Sequence, residues 1–252
     1  EGYGQPIYTN VKHPFPDPQP PVAPRDNNPV GSYRRTFTLP DTWNDGQIIL
    51  HFDGVKSAFF IWINGKKVGY SQGSMTPAEF NITSYLLPGE NSLAVQVFRW
   101  SDAAFIEDQD FWRLSGIYRD VYLMHVPDVH IRHYKAIAEL TDNYQNGLLS
   151  LTTDLSNYSY SSKRILLKAS LFDPAQKEIG VIQSIEQELS PNTEKKLDFF
   201  LEVNDISQWS AEIPYLYTLV LSLKDLENNI TEYVSCKTGF RNVELKNGQM
   251  LV

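Results

Sequence analysis

The chain has 252 residues, 42% of them hydrophobic and 21% charged, which excludes a disordered or low-complexity polypeptide and allows one large or two ordinary domains. Its formal net charge of −8 and sequence pI near 5.1 argue against a nucleic-acid partner, because phosphate binding needs clustered Lys and Arg. No window reaches the length of a transmembrane helix, and Glu1-Gly2-Tyr3 opens the chain with neither a basic leader, an apolar run nor an initiator methionine.

Residues 1–30 hold Pro6, Pro14, Pro16, Pro18, Pro20, Pro21, Pro24 and Pro29. Proline lacks a backbone donor and fixes φ, so this stretch reads as an extended arm, neither helix nor inner strand. Tyr3, Tyr8, Val11 and Phe15 suit an arm lying on a surface better than one in water. From Ser32 the period is two. Tyr33, Arg35, Phe37 and Leu39 alternate, then Ile48, Leu50 and Phe52, then Leu93, Val95 and Val97, each set predicted on one sheet face. Phe59 to Ile63 is apolar at every position, which predicts a strand buried between layers. Asn64-Gly65 predicts a two-residue hairpin turn, and Pro88-Gly89 another turn.

His125-Val126-Pro127-Asp128 reads as a junction. A second strand series follows, with Leu149, Leu151 and Leu155 on one face. Ile165, Leu167, Ala169 and Leu171 alternate, as do Leu197, Phe199, Leu201 and Val203, and then Tyr217, Leu219, Leu221 and Leu223. About seven strands in roughly 110 residues is the pattern of an immunoglobulin-like sandwich, here without its paired cysteines. The fold class is therefore all-β, two sandwiches in series. Cys236 is the only cysteine, which excludes an intrachain disulfide or a thiolate zinc site; in its strand it reads as a small buried hydrophobe. His130 and His133, three apart on a strand, are predicted on opposite faces and unable to share a metal. The triplets at Asn81, Asn157 and Asn229 fit the glycosylation pattern, which arises often by chance.

The densest polar and aromatic cluster runs from Arg99 to Arg113, between strands expected at 92–98 and 118–124. Long ordered loops on a rigid sandwich are disproportionately functional. Its acids, Asp102, Glu107, Asp108 and Asp110, can accept hydrogen bonds from sugar hydroxyls. Trp100, Phe105, Phe111 and Trp112 can stack on a pyranose. The same composition also fits a solvated acidic loop pinned by buried aromatics. Asp108 and Asp110 could reach the ~5–5.5 Å of a retaining carboxylate pair, but so could almost any two acids on a loop.

Several stretches resemble the large bacterial β-galactosidases of glycoside hydrolase family 2. They are Tyr8-Thr9-Asn10-Val11, Phe52-Asp53-Gly54-Val55-Lys56-Ser57, Asn64-Gly65-Lys66-Lys67-Val68-Gly69-Tyr70, Gly89-Glu90-Asn91-Ser92-Leu93 and Arg99-Trp100-Ser101-Asp102. Most specific is Glu107-Asp108-Gln109-Asp110-Phe111-Trp112-Arg113-Leu114-Ser115-Gly116, and Trp209-Ser210-Ala211-Glu212-Ile213-Pro214 with Gly239-Phe240-Arg241 follow in the same order. The resemblance implies a jelly-roll, galactose-binding-like domain over 1–127, an immunoglobulin-like domain over 128–240, and over 241–252 the start of a link to a catalytic TIM barrel. That barrel would hold the two glutamates of retaining hydrolysis, and neither is matched within these residues. The resemblance carries Asn10 and Asp110 over as substrate-binding residues, with Asp110 also a shared sodium ligand. Trp100, Asp108, Trp112 and Arg113 would shape the loop. It implies sodium and magnesium for the whole enzyme and no cofactor for this part alone. The partners it implies are a β-galactoside such as lactose, the downstream barrel and other copies in a homo-oligomer, in a cytoplasmic or periplasmic setting.

The expected function is thus the non-catalytic N-terminal part of a β-galactosidase, inactive by itself. A free-standing carbohydrate-binding module, a piece of a related β-glucuronidase or β-mannosidase, and a structural or partner-binding sandwich remain alternatives.

Overall fold

The computed structural model describes residues 7–8, 13–107, 110, 112–142, 144–183, 186–227 and 229–251. Among them there is no α-helix, only two short 3-10 turns at Thr83–Tyr85 and Asp102–Phe105, and no helix long and apolar enough to cross a membrane. The chain divides into two compact units, Glu1–Val126 and Pro127–Val252.

The first unit contains β1 (Val30–Thr38), β2 (Gln47–Phe52), β3 (Val55–Lys56), β4 (Ala58–Ile63), β5 (Lys66–Gln72), β6 (Ala78–Asn81), β7 (Glu90–Phe98), β8 (Gly116–Ile117) and β9 (Val121–Val126). One antiparallel sheet has the order β1-β7-β4-β5, another β6-β2-β9, and β3 pairs with β8. Non-consecutive neighbours such as β1 with β7 and β2 with β9 are the crossed connections of a jelly roll. The alternating residues meet between the sheets: Ile48, Leu50 and Phe52 from β2, Phe59, Ile61 and Ile63 from β4, Val95 and Val97 from β7. Each such side chain removed from water contributes about 1.5–3 kcal/mol. The Asn64-Gly65 turn has positive φ at both residues, 51° and 77°, as a type I′ hairpin needs. The expectation for 59–63 needs correction. Phe59, Ile61 and Ile63 are in the core, whereas Phe60 and Trp62 point to the opposite face and are only half-buried. A uniformly apolar run cannot reveal which of its two faces is covered.

The second unit contains β10 (Val129–Thr141), β11 (Asn146–Asn157), β12 (Lys163–Phe172), β13 (Glu178–Gln183), β14 (Gln187–Leu189), β15 (Thr193–Val203), β16 (Tyr217–Lys224), β17 (Ile230–Thr238), β18 (Glu244–Lys246) and β19 (Gln249–Leu251). A sheet β10-β11-β15 faces a sheet β13-β12-β16-β17, with β14 paired to β12. That is the two-sheet plan of an immunoglobulin-like sandwich. Leu149, Leu151, Leu155, Leu167, Leu171, Leu219, Leu221 and Leu223 fill the space between. Phe240 is completely buried, and Gly147 is required beside it, since a Cβ there would lie 2.5 Å from the Phe240 ring. Cys236 is half-buried at the edge of this core rather than fully enclosed.

Strand β10 carries an irregularity between Ile131 and His133 that overturns the placement of the two histidines. His130 pairs with Ser156 and His133 with Asp154, so the extra residue brings both onto one face. His130 is buried and stacked on Tyr158, whereas His133 is exposed near Asp154. Among the described residues no group of three or more His, Cys, Asp or Glu could hold a metal.

Two of the Asn-x-Ser/Thr triplets have a structural explanation. The Asn81 Oδ1 accepts from the Thr83 amide and hydroxyl, and the Asn157 Oδ1 accepts from those of Ser159. Each triplet is a local turn of the kind Asn favours. The Asn157 amide is buried and donates to the carbonyls of Ser161, Leu189 and Ser190, so it is unavailable to a glycan.

At the same irregularity Glu232 reaches from β17 across the sandwich, and its Oε2 accepts the Ile131 amide at 2.7 Å. Burial raises the Glu232 carboxyl above its ordinary pKa, and this hydrogen bond offsets the rise in part. The folded protein then holds the proton more tightly than the unfolded chain does. This group's contribution is fully present below the ordinary glutamate pKa and is lost as pH rises through the raised value. Glu232→Gln keeps an acceptor for Ile131 without the charge. It is expected to melt above the parent at neutral pH and to lose that advantage on acidification, in thermal melts between about pH 4 and pH 8. Parallel curves would contradict this account.

Candidate functional site

The long loop leaves β7 at Phe98 and is tied to the proline-rich arm at both ends. At its start the Asn28 amide brackets Trp100, with Nδ2 donating to the Trp100 carbonyl and Oδ1 accepting the Trp100 amide, both at 2.9 Å. The Arg99 amide donates to the Pro29 carbonyl at 3.0 Å. Phe15 from the arm is buried against Trp100 and Ala104, with Ile7 and Phe105 packed around them. At the loop's far end the Arg113 amide donates to the Ile7 carbonyl at 2.6 Å, the anchor of a short bridge between arm and loop.

Beyond this satellite core the loop's acids separate in role. The Asp102 Oδ1 accepts the Ala103 amide at 2.9 Å and opens the 3-10 turn. Glu107 points inward: its Oε1 accepts the Ser74 amide at 2.8 Å, and its other oxygen accepts the Ser74 hydroxyl. The Tyr118 hydroxyl holds the Ser74 carbonyl from the other side. Lys56 and Arg113 are buried nearby. Burial lowers the Lys56 pKa, the Glu107 carboxylate opposes that shift, and the Arg113 charge adds to it. Burial also lowers the Arg113 and Arg99 guanidinium groups from their ordinary value, and both remain cations at neutral pH. Glu107 is thus a counter-charge to Lys56 beneath the loop.

Asp110 faces the other way and is exposed. Its Oδ1 accepts the Tyr8 hydroxyl at 3.0 Å, and the Tyr8 ring lies 5.4 Å from that of Trp112. The Asp110 bond and charge hold the Tyr8 hydroxyl above its ordinary pKa, so it stays a donor. Trp112 is 54% exposed, and Ile106 on the same loop 84%. A carboxylate oriented by a phenol, beside an exposed indole, can accept hydrogen bonds from vicinal hydroxyls while the ring meets an apolar sugar face.

Of the residues singled out in the sequence, Asn10 and Asp108 lie outside the described residues. Asp110 and Trp112 come together with Tyr8, while Trp100 and Arg113 are buried on the loop's inner side. Sequence reasoning did not single out Tyr8, Glu107, Lys56 or Asn28 for these roles. Tyr8, Glu107 and Lys56 stood in stretches already of interest, but nothing in their order showed which partner each would take; Asn28 carried no such signal.

The sugar-binding domain model of glycosyl hydrolases family 2 matches residues 1–127, and a second model of family 2 matches residues 129–241. A β-galactosidase of Priestia megaterium is 47% identical over 257 aligned residues, covering all of this chain and 25% of the relative. One from Psychromonas ingrahamii is 43% identical, covering 99% of this chain and 24% of the relative. The chain therefore spans about a quarter of the length of the curated relatives it matches. Among solved structures, a Bacteroides uniformis β-glucuronidase superposes with a TM-score of 0.81 at 26% identity, covering 86% of this chain and 27% of that one. Two family models in series, a whole-chain match at close to half identity and a shared two-sandwich fold lead to one conclusion: this chain belongs to glycosyl hydrolase family 2.

Proposed function

We propose that these residues form the non-catalytic N-terminal part of a retaining β-galactosidase and lend substrate-binding groups to an active site completed by a downstream barrel. The observation that carries this is the whole-chain likeness to β-galactosidases, at identities well above the 26% shared with the β-glucuronidase structure. The exposed Asp110 carboxylate, steadied by Tyr8 beside Trp112, supports a role in holding the galactosyl hydroxyls, with Asn10 of the same arm as a second contact. Exposed Ile106 and Trp112 on that loop suit a surface that another part of the protein covers.

A sodium ion takes oxygen donors, and Asp110 can supply one, since a single carboxylate oxygen accepts from Tyr8. The described residues hold no group of three or more His, Cys, Asp or Glu side chains that could hold a metal, and Asp110 fits as one shared donor. When bound, the ion would supply positive charge near the sugar. Asp110 itself would accept hydroxyl protons in hydrogen bonds and orient the ring. Magnesium finds no corresponding donor set among the described residues.

The 252-residue chain is expected to show no hydrolysis of nitrophenyl β-galactoside, and activity is expected on joining it to the barrel-bearing remainder of its parent. Turnover by the isolated chain, or a joined protein that cleaves nitrophenyl β-glucuronide in preference, would overturn this reading.

A further inference from the structure

Asp110 accepts from the Tyr8 hydroxyl, but both residues are exposed, Tyr8 by 52%. One hydrogen bond at a wet surface contributes little to holding a loop. The direction of the Asp110 carboxylate must therefore be set where the loop is anchored. Glu107 lies three residues before Asp110 and Arg113 three after. Three residues reach at most about 10–11 Å, so an anchor at either place confines the Asp110 backbone closely. The Arg113 anchor is made by its backbone, through the amide bond to the Ile7 carbonyl at 2.6 Å.

The Glu107 anchor is made largely by its side chain. Its partner Ser74 is completely buried, and all three polar groups of that serine are engaged. The Ser74 amide donates to Glu107 Oε1 at 2.8 Å, the hydroxyl donates to Oε2, and the carbonyl accepts from the Tyr118 hydroxyl. Gly73, at a φ of 113°, and the Thr76 amide, which donates to the Gly73 carbonyl at 3.2 Å, form the turn that offers both Ser74 donors to one carboxylate. A two-point grip on a carboxylate fixes its orientation as well as its reach. Lys56, buried beneath the loop, feels the Glu107 charge, so this acid is held by attraction as well as by hydrogen bonds. At the backbone, the Glu107 amide donates to the Ala103 carbonyl at 2.8 Å and ties the same residue to the end of the 3-10 turn.

We propose that Glu107 is a positioning residue: by gripping Ser74 it pins the loop three residues ahead of Asp110, so that the Asp110 carboxylate is presented outward beside Tyr8 and Trp112. Glu107 stays on the inner side of the loop and acts through Asp110. This role rests on the proposal that Asp110 meets the substrate.

The test is a double-variant cycle in the barrel-bearing enzyme, with nitrophenyl β-galactoside as substrate. Glu107→Ala is expected to lower kcat/KM about ten- to fiftyfold, and Glu107→Ala with Asp110→Ala to stay within about twofold of Asp110→Ala alone, because Glu107 has nothing left to position. Ser74→Ala loosens the same grip from its other side and leaves the Glu107 charge opposite Lys56, so it stands in if Glu107→Ala fails to fold. A loss of about two- to fivefold is expected for it, again masked by Asp110→Ala. Glu107→Gln keeps the length and one acceptor for the Ser74 amide, and is expected to retain more activity than alanine. A spectroscopic readout on the 252-residue chain is independent of turnover. The nuclear Overhauser contact expected between the Tyr8 and Trp112 rings, whose centroids lie 5.4 Å apart, should weaken in Glu107→Ala and in Ser74→Ala. Losses that add in full to that of Asp110→Ala, or a ring contact unchanged in both variants, would overturn the positioning role while leaving the reading of Asp110 intact. Unchanged turnover in Asp110→Ala would overturn that reading, and this one with it.

Discussion

In the barrel-bearing enzyme, Asp110→Ala is expected to lower kcat/KM for nitrophenyl β-galactoside by about a hundred- to a thousandfold, roughly 3–4 kcal/mol of transition-state stabilisation. On the role proposed for Asp110, the variant would lack a carboxylate acceptor for sugar hydroxyls and, if sodium binds there, one of its donors. Asp110→Asn keeps the shape and an acceptor, and is expected to fall between parent and alanine variant. Tyr8→Phe leaves the carboxylate and removes only the bond at 3.0 Å that orients it, so a loss of about three- to tenfold is expected. A fall in kcat with KM nearly unchanged would mean that Asp110 acts chiefly in the transition state; a rise in KM alone would mean uniform binding. Asp110 is exposed, so the variant's melting point should stay close to the parent's. Unchanged kcat/KM in a folded Asp110→Ala enzyme would show that the loop does not meet the sugar.

Phe240→Ala is expected to destabilise the second unit by about 3–5 kcal/mol, the range for deleting a fully buried aromatic side chain. Phe240 has no exposed surface and lies edge-on to Tyr217, with ring centroids 5.3 Å apart. Gly147→Ala approaches the same place from the opposite direction. Its new Cβ would fall 2.5 Å from the Phe240 ring, and such overpacking costs about 1–3 kcal/mol. The two changes share one volume, so the double variant is expected to be more stable than the sum of the single losses allows. Urea unfolding followed at probes in each unit checks both points: the second unit's transition moves and the first unit's stays. Additive losses would mean that Gly147 and Phe240 are not packed against each other.

The strand content and most of the core were legible in the amino-acid order, because period-two alternation is local. A set such as Leu219, Leu221 and Leu223 shares a face in any extended backbone and is buried wherever that face meets another sheet. The hairpin at Asn64-Gly65 was legible for the same reason, since positive φ is a property of those residues. The specific run around Asp110 marked the family and directed attention to the loop.

Other features required the folded chain. The run 58–63 is apolar throughout, and only sheet packing decided that Phe59 joins the core while Phe60 half-faces solvent. An irregularity of a single residue in β10 reversed the relation of His130 and His133, because a side-chain period of two inverts with every inserted residue. Tyr8 with Asp110 and Glu232 with Ile131 meet across about a hundred positions of sequence, and Ser74 with Glu107 across about thirty. Composition and pattern determined that this chain would form β-sandwiches with an acidic, aromatic loop. Which acid turned inward to balance Lys56 and which outward to Tyr8 was decided by tertiary packing, because a carboxylate's partner is chosen by burial and by the charges that folding brings beside it.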